Sequence, residues 1–442
     1  MINCNAILAL SVVFKLSVDG FRWIPNVSRI HRLLHAFESR TSSEPSILQK
    51  ALQVIDQQHN KSSHQCNFEA ELEHDNTECI CKYEWLVNEA SQKVAFETQE
   101  PVMSRECIEL LRHAANEYWR AHNSTSRFTL QSPSNSEAHL EDVCELYPHL
   151  RDLVKNLLTQ TLYPVVRHAF SNLEGPLCVY DAIIVRYNAS MCSAFQPLHR
   201  DIGVVTINIA LNDPNEFQGG GTFFESLATN LPIRLPKGTG YAIGHSSEER
   251  HAGAPTKHGI REILVIFLTT RPQHKNQRAP AQEQRARLKG MLQSWSDVAN
   301  RIECLREAYH QMSFDGEMHL YLAHDLIQVG LMDEAMSHLF QARQLSPFDA
   351  RAQFHLAQCL SKKGISPGES LEKTILLESA YVNAGIKPLN DWIEARMVLG
   401  TYLAQTGLYK DALEQFTCIL DKQSDAQEAI AASSYCRDKL RQ

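Results

Sequence analysis

The sequence predicts a multidomain α+β protein, in which an all-β sandwich or barrel with flanking helices precedes an all-α helical array. Three observations lead there. The 442 residues exceed what one ordinary core holds, and 43% of them are hydrophobic, enough to fill two or three cores. Between 178 and 270, short β-rich runs are separated by Gly, Asn, Asp and Pro. Beyond about 300, apolar residues return at helical spacing.

The N-terminus reads "MINCNAILALSVVFKLSVDGF", apolar over 6–14 and interrupted at Lys15. That run is too short to span a membrane. It is read as the apolar region of a signal peptide over 1–20; no Lys or Arg precedes it, and a buried helix start is the alternative. Sequons at Asn26, Asn60, Asn123 and Asn188 point weakly the same way. Residues 21–100 are polar and weakly periodic, and are expected to be poorly structured. Within them Cys79 and Cys81 form a CxC without the second pair a zinc site needs; a disulfide or free thiols remain. The formal charge of −8 carries no basic bias toward nucleic acid or an anionic membrane.

A unit over 101–272 follows. In "SRECIELLRHAANEYW", Cys107, Leu110, Leu111, Ala114 and Tyr118 fall near one helical stripe, with Ser104 at the N-terminus. A second helical pattern covers 149–170, where Pro164 is expected to kink or break it. The strand candidates are "CVYDAIIVRYN", "GVVTINIALN", "GTFFES", "GTGYAIG" and "REILVIFLTT". The last is apolar on both parities, as in a strand buried between two layers. The Gly219–Gly221 run reads as a hairpin turn, since no phosphate-binding Lys follows.

Residues 273–300 read as a polar linker running into a helix, and 301–442 as helical repeats. A 34-residue unit starting at Gly316 places Gly330, Ala335, Leu339, Ala342 and Pro347 at the small and apolar positions of a tetratricopeptide repeat. A second register from Ile393 places Gly400, Gly407, Ala412 and Phe416 likewise, with an insertion near "ISPGESLEKT" between them. The fold expected for this part is therefore a tetratricopeptide-like solenoid.

The chemistry concentrates in "PLHRDIGVVTINIALN" and "GHSSEERHAGAPTKHGIREILVIF". In extended chain, His199 and Asp201 point to one side and Arg200 to the other. His251 lies downstream in a polar loop, and Arg261 ten residues later heads the apolar strand. Two His and one carboxylate match the facial triad of non-haem Fe(II) oxygenases. His245 and His258 flank His251, but only His251 has the ten-residue step to Arg261. A cation beside a buried strand calls for an anion, and a dicarboxylate would supply it. A redox-inert zinc with the same ligands would suit hydrolysis instead.

On "VRYN", "HRDIGVVTINIALN", "FQGGGTFFES", "LPKGTGYAIGH" and "RHAGAPTKHGIREILVIF", residues 104–270 resemble the 2-oxoglutarate- and Fe(II)-dependent dioxygenases of the prolyl 4-hydroxylase and procollagen lysyl hydroxylase type. "TINIALN" and "GGGTFF" are closer to the lysyl group. The resemblance implies a double-stranded β-helix (jelly-roll) domain with Fe(II) on His199, Asp201 and His251. It implies 2-oxoglutarate paired to Arg261, with Thr222, Tyr187 and Asn208 as further cosubstrate contacts. It also implies O2 as oxidant, ascorbate as a supporting reductant, and succinate and CO2 as products; the carboxylate of Asp201 favours hydroxylation over halogenation.

The implied activity is hydroxylation of a prolyl or lysyl side chain in a protein substrate held by the repeats, in the endoplasmic reticulum or secretory pathway. A cytoplasmic location is the alternative. The rival functions are a non-catalytic repeat scaffold with a vestigial dioxygenase fold, and a small-molecule hydroxylase. Asn208 raises a question of register: on one unbroken strand it would face opposite to Asp201, unless Gly203 marks a break.

Overall fold

The computed structural model describes residues 81–121, 135–190, 194–228, 231–270, 288, 292, 295–311, 315–386 and 391–441. The expected signal peptide, the lead-in as far as residue 80, the sequons at Asn26, Asn60 and Asn123, and most of the linker lie outside them. The chain is mixed α+β with a large antiparallel sheet. Its strands are β1 (Tyr83–Val87), β2 (Lys93–Thr98), β3 (Asn135–His139), β4 (Leu177–Asn188), β5 (Val205–Ala210), β6 (Phe217–Gly219), β7 (Thr222–Phe224), β8 (Ile233–Arg234), β9 (Ala242–Ser246), β10 (His251–Gly253) and β11 (Thr256–Thr270). The large sheet runs β1-β2-β9-β5-β11-β4-β3, with β6 paired to the start of β11. A three-stranded sheet runs β10-β7-β8.

Residues 83–98, grouped by composition with the poorly structured 21–100 stretch, form the β1–β2 hairpin at the edge of the large sheet. This corrects the reading of that segment. Trp85 and Phe96 face each other across the hairpin with ring centroids 5.9 Å apart, the kind of cross-strand aromatic pair that stabilises a sheet. Phe96 also fills the space over Gly244 of β9, where an added Cβ would lie 2.3 Å from its ring. The hairpin is thus held by a strand about 150 residues away, which local polarity does not reveal.

Four helices cover one face of the large sheet: α1 (Arg105–Ala121), α2 (Leu140–Leu146), α3 (His149–Leu157) and α4 (Tyr163–Ala169). Ser104 Oγ caps α1, accepting from Cys107 N at 3.3 Å. The buried stripe of α1 is Ile108, Leu111, Ala114 and Ala115, while Leu110, expected on it, is exposed. Spacing by three and four admits both phases, and packing against the sheet selects the one through Ile108. Between α3 and α4 lies a π-helical turn, Leu158–Leu162, and Pro164 falls in the first turn of α4. The chain therefore stays helical from His149 to Ala169, and the irregularity expected at Pro164 takes the form of the π-helical turn just before it rather than a break.

β11 separates two apolar layers. Leu264, Ile266 and Leu268 join Ile207, Ile209 and the helices in one buried cluster. Ile263 and Val265 join Ile183, Val185 and Tyr187 of β4 on the opposite face, which looks toward the smaller sheet. Both faces are covered, which accounts for the continuous apolar run. Gly203, just before β5, has φ +115°, and a Cβ there would meet Leu268 O at 2.5 Å. Gly203→Ala is therefore expected to destabilise the fold by about 1–3 kcal/mol, read as a lower urea midpoint.

The remaining helices are α5 (Val298–Gln311), α6 (Gly316–Gln328), α7 (Met332–Leu345), α8 (Ala350–Lys362), α9 (Gly368–Asn383), α10 (Asp391–Gln405), α11 (Tyr409–Lys422) and α12 (Gln427–Arg441). Helical packing begins before residue 301, since α5 starts at Val298 and Leu288 and Leu292 are buried in the same cluster. From Gly316 to Ala350 is one 34-residue step, and the caps repeat with it: Asp315 accepts from Glu317 N, and Asp349 from Arg351 N. Gly330, Gly364 and Gly407 each follow the first helix of a pair with positive φ. The step from α8 to α10 is longer, with the extra residues spread on both sides of α9. Where α10 meets α11, a Cβ on Gly400 would lie 2.6 Å from the Phe416 ring, so the small residue permits the approach.

Candidate metal centre

His199 and His251 are brought together by backbone pairing. His199 N donates to His251 O at 2.8 Å, and His251 N to His199 O at 2.9 Å. Asp201 N donates to Ser247 O at 3.0 Å, fixing the other end of the HxD segment. Gly203 then breaks the extended segment before β5 begins at Val205.

The two imidazoles meet the carboxylate between them. His199 Nε2 lies 3.4 Å from Asp201 Oδ1, and His251 Nε2 lies 3.3 Å from Asp201 Oδ2. One ligand atom from each of the three residues falls within 4.8 Å of the others, a grouping able to hold a metal ion. The Nδ1 atoms of His199 and His251 are anchored on carbonyls, Pro197 O at 2.7 Å and Glu249 O at 2.9 Å. An N–H there leaves each Nε2 with a free lone pair for a metal. Asp201 Oδ2 is buried without a hydrogen bond, which a bound cation would remedy. Ligands at about 2.1 Å in adjacent coordination positions stand about 3 Å apart, close to the spacing here. Two imidazoles and one carboxylate suit a divalent first-row ion.

The charges of Asp201 and His251 agree with that use. Burial would raise the Asp201 carboxyl, but His251 and His199 beside it outweigh burial and hold it well below the usual carboxylate range. Burial lowers His251 to about 3, so it is neutral and ready to ligate at pH 7. Burial would also lower His199, but hydrogen bonding to Asp201 and its charge raise it instead.

His245 on β9 is the neighbour that motif spacing set aside. It is fully buried, its ring centroid lies 4.4 Å from that of His251, and its Nε2 lies 4.0 Å from Asp201 Oδ2. Strand parity was the available signal, since in β9 Ile243 and His245 share a face. His258, the other alternative, is exposed on β11.

Arg261 is 2% exposed and sits opposite Tyr187, its guanidinium 5.1 Å from the Tyr187 ring centroid. No carboxylate among the described residues pairs with it. Burial lowers its pKa from the ordinary arginine value and Tyr187 counteracts this, while burial pushes Tyr187 up to about 12. Its chain neighbour Glu262, on the other face of β11, is bound by Arg112 Nε at 2.6 Å and Arg186 Nε at 2.7 Å. A Cβ on Gly220 would lie 2.8 Å from Arg261 Cδ, so the glycine turn leaves room for this side chain. The Tyr187 hydroxyl is near Gly253, two residues beyond His251, so Tyr187 lies between Arg261 and the His251 strand.

Thr222 is buried and pairs with Gly253, on the same face of the small sheet as His251 and Phe224. Asn208 is opposite Val265 on β11 and Ile243 on β9, and paired residues share a face. It therefore shares a face of the large sheet with Tyr187, Arg261 and His245.

No family model matches the chain. The rat protein procollagen-lysine,2-oxoglutarate 5-dioxygenase 1 is 39% identical over 114 residues, 25% of this chain and 14% of that protein. The human procollagen-lysine,2-oxoglutarate 5-dioxygenase 2 is 27% identical over 176 residues, 38% of this chain and 23% of that protein. The chain thus spans less than a quarter of the length of these relatives. Among solved structures, AviO1 from Streptomyces viridochromogenes Tue57 is 17% identical with a TM-score of 0.31, over 40% of this chain and 90% of that one. Among the described residues, no helix is long and apolar enough to cross a membrane.

Proposed function

We propose that the chain is a 2-oxoglutarate- and Fe(II)-dependent dioxygenase that hydroxylates a lysyl or prolyl side chain of a protein substrate. The observation that carries this reading is Arg261, a buried cation without an acidic partner among the described residues, whose neighbour Tyr187 reaches Gly253, two residues beyond His251 of the His–Asp–His grouping. A buried guanidinium needs an anion, and 2-oxoglutarate supplies a carboxylate at the far end of a metal-chelating keto acid. The partial likeness to procollagen-lysine dioxygenases supports the same chemistry and favours lysine.

In this reading the two sheets are a double-stranded β-helix, within the expected 101–272 unit extended toward residue 81, and 301–442 form tetratricopeptide-like repeats that hold the substrate protein. The endoplasmic reticulum or secretory pathway is the corresponding location, with ascorbate as supporting reductant.

His199, Asp201 and His251 would hold Fe(II). When bound, that ion supplies the redox chemistry by which O2 converts 2-oxoglutarate to succinate and CO2, one oxygen atom entering succinate and the other the substrate C–H bond as hydroxyl. Arg261 fixes the far carboxylate bidentately. Tyr187, kept protonated, donates its hydroxyl toward the same ligand, and Thr222 and Asn208 offer further hydrogen bonds. Ile183, Val185, Ile263 and Val265 form an apolar wall that excludes water and strengthens these contacts.

The test is succinate release by the full chain with Fe(II), 2-oxoglutarate, O2 and lysine- or proline-bearing peptide pools. Wild type is expected to release succinate and to add one oxygen to a peptide, and His199→Ala to do neither. A wild type that releases no succinate with any pool, yet binds a partner, would establish the scaffold reading instead.

A further inference from the structure

Each ligand-bearing segment carries an arginine that leaves the metal centre and ends in the helical array. Arg200 stands between His199 and Asp201 and points away from them. Its Nε donates to Glu248 O at 2.9 Å, its Nη2 to Ser346 Oγ at 2.9 Å, and its Nη1 lies 3.5 Å from Glu317 Oε2. Arg250 immediately precedes His251. Its Nη1 bonds Glu225 Oε1 at 2.7 Å and lies 3.1 Å from Asp349 Oδ2. Arg351 closes the cluster, meeting Glu317 at 2.7 Å and Asp349 at 2.6 Å.

Three arginines thus face three carboxylates. Arg250, Glu225 and Asp349 are each under 10% exposed. The acidic groups on the array sit at fixed points: Glu317 in the first turn of α6, and Asp349 at the N-cap of α8. Ser346 follows α7. Glu225, beside β7, also accepts from the Tyr381 hydroxyl of α9, and Phe223 of β7 packs on the Tyr381 ring with centroids 5.4 Å apart. The outer face of the small sheet is therefore seated on the helices, while its inner face carries His251.

We propose that the helical array is part of the metal centre's support, with Arg200 and Arg250 as positioning residues that hold the HxD segment and His251 in register through Glu317, Ser346 and Asp349. Backbone pairing alone fixes the distance between His199 and His251. The Asp201 N–Ser247 O bond holds the far end of the HxD segment, and both flanking arginines tie the two segments to the same group of helices, α6 to α8. Charge-assisted, buried contacts of this kind tolerate little displacement. The inference rests on the reading of His199, Asp201 and His251 as metal ligands.

The test uses the full metal-free chain and Co(II), whose visible absorption reports coordination geometry. Wild type is expected to bind Co(II). Glu317→Gln and Arg200→Met are expected to bind it at least about tenfold more weakly with a changed spectrum, and Arg200→Lys to recover part of the loss. Near-UV circular dichroism confirms that each variant is folded. Ser346→Ala keeps every charge and removes an Arg200 acceptor, so it decides the matter should the charge variants fail to fold; it too is expected to weaken binding and alter the spectrum. If wild type binds Co(II) and the folded variants match its affinity and spectrum, this inference is overturned and the metal site stands. If wild type binds no Co(II), the metal-site reading fails and takes the inference with it.

Discussion

Asp201→Ala is expected to weaken divalent-metal binding on the order of a thousandfold, about 4 kcal/mol, while leaving the fold intact. The carboxylate is the only anion of the grouping, and it lies within 3.4 Å of one imidazole and 3.3 Å of the other. Its side chain is 6% exposed, so solvent screens its attraction for a dication poorly. Two neutral imidazoles remain in the variant, and they supply lone pairs but no charge. Isothermal titration with Mn(II) or Co(II) measures the loss. Affinity within tenfold of wild type would show that the ion is held elsewhere, and the assignment of the triad would fall.

Arg261→Met is expected to act in opposite directions on stability and on cosubstrate binding. Without cosubstrate, the wild type keeps a guanidinium buried beside the Tyr187 phenol with no carboxylate partner among the described residues, and methionine removes that unfavourable burial. The variant is therefore expected to be as stable as wild type or more so. With Mn(II) and 2-oxoglutarate at about a hundred times its dissociation constant, wild type gains about 2.7 kcal/mol by mass action. The variant should gain almost none, and its KM for 2-oxoglutarate should rise on the order of a hundredfold. Thermal unfolding with and without the keto acid reads both effects. A variant that is destabilised alone and still stabilised by 2-oxoglutarate would assign Arg261 to packing.

The opposite case lies one residue along the same strand. Glu262 has both carboxylate oxygens bound by arginines, and it is tied to α1 and β4. It is a structural ion pair, whereas Arg261 lies on the other face beside Tyr187 with no such partner among the described residues. Alternation along β11 separates the two roles, and the sequence shows the alternation but not the partners.

What the sequence determined by itself was local. An HxD pair in extended chain must aim two side chains to one side, because successive residues of a strand alternate. The ten-residue step from His251 to Arg261, the apolar run of β11 and the 34-residue register of small and apolar positions from Gly316 are likewise short-range patterns, legible without a fold.

Only the tertiary structure decided what depends on distant partners. Whether 83–98 were strands depended on β9, because a polar edge hairpin becomes regular when Phe96 covers Gly244. The face of Asn208 depended on the break at Gly203, which detaches the parity of β5 from that of the HxD segment. The phase of α1 was chosen by the sheet beneath it. Nothing beside Arg200 or Arg250 in the sequence names Glu317, Ser346 or Asp349 as their partners, roughly a hundred residues or more along the chain. A charge has no periodicity that names its partner; only packing brings the partner within reach, and burial then makes the pairing necessary.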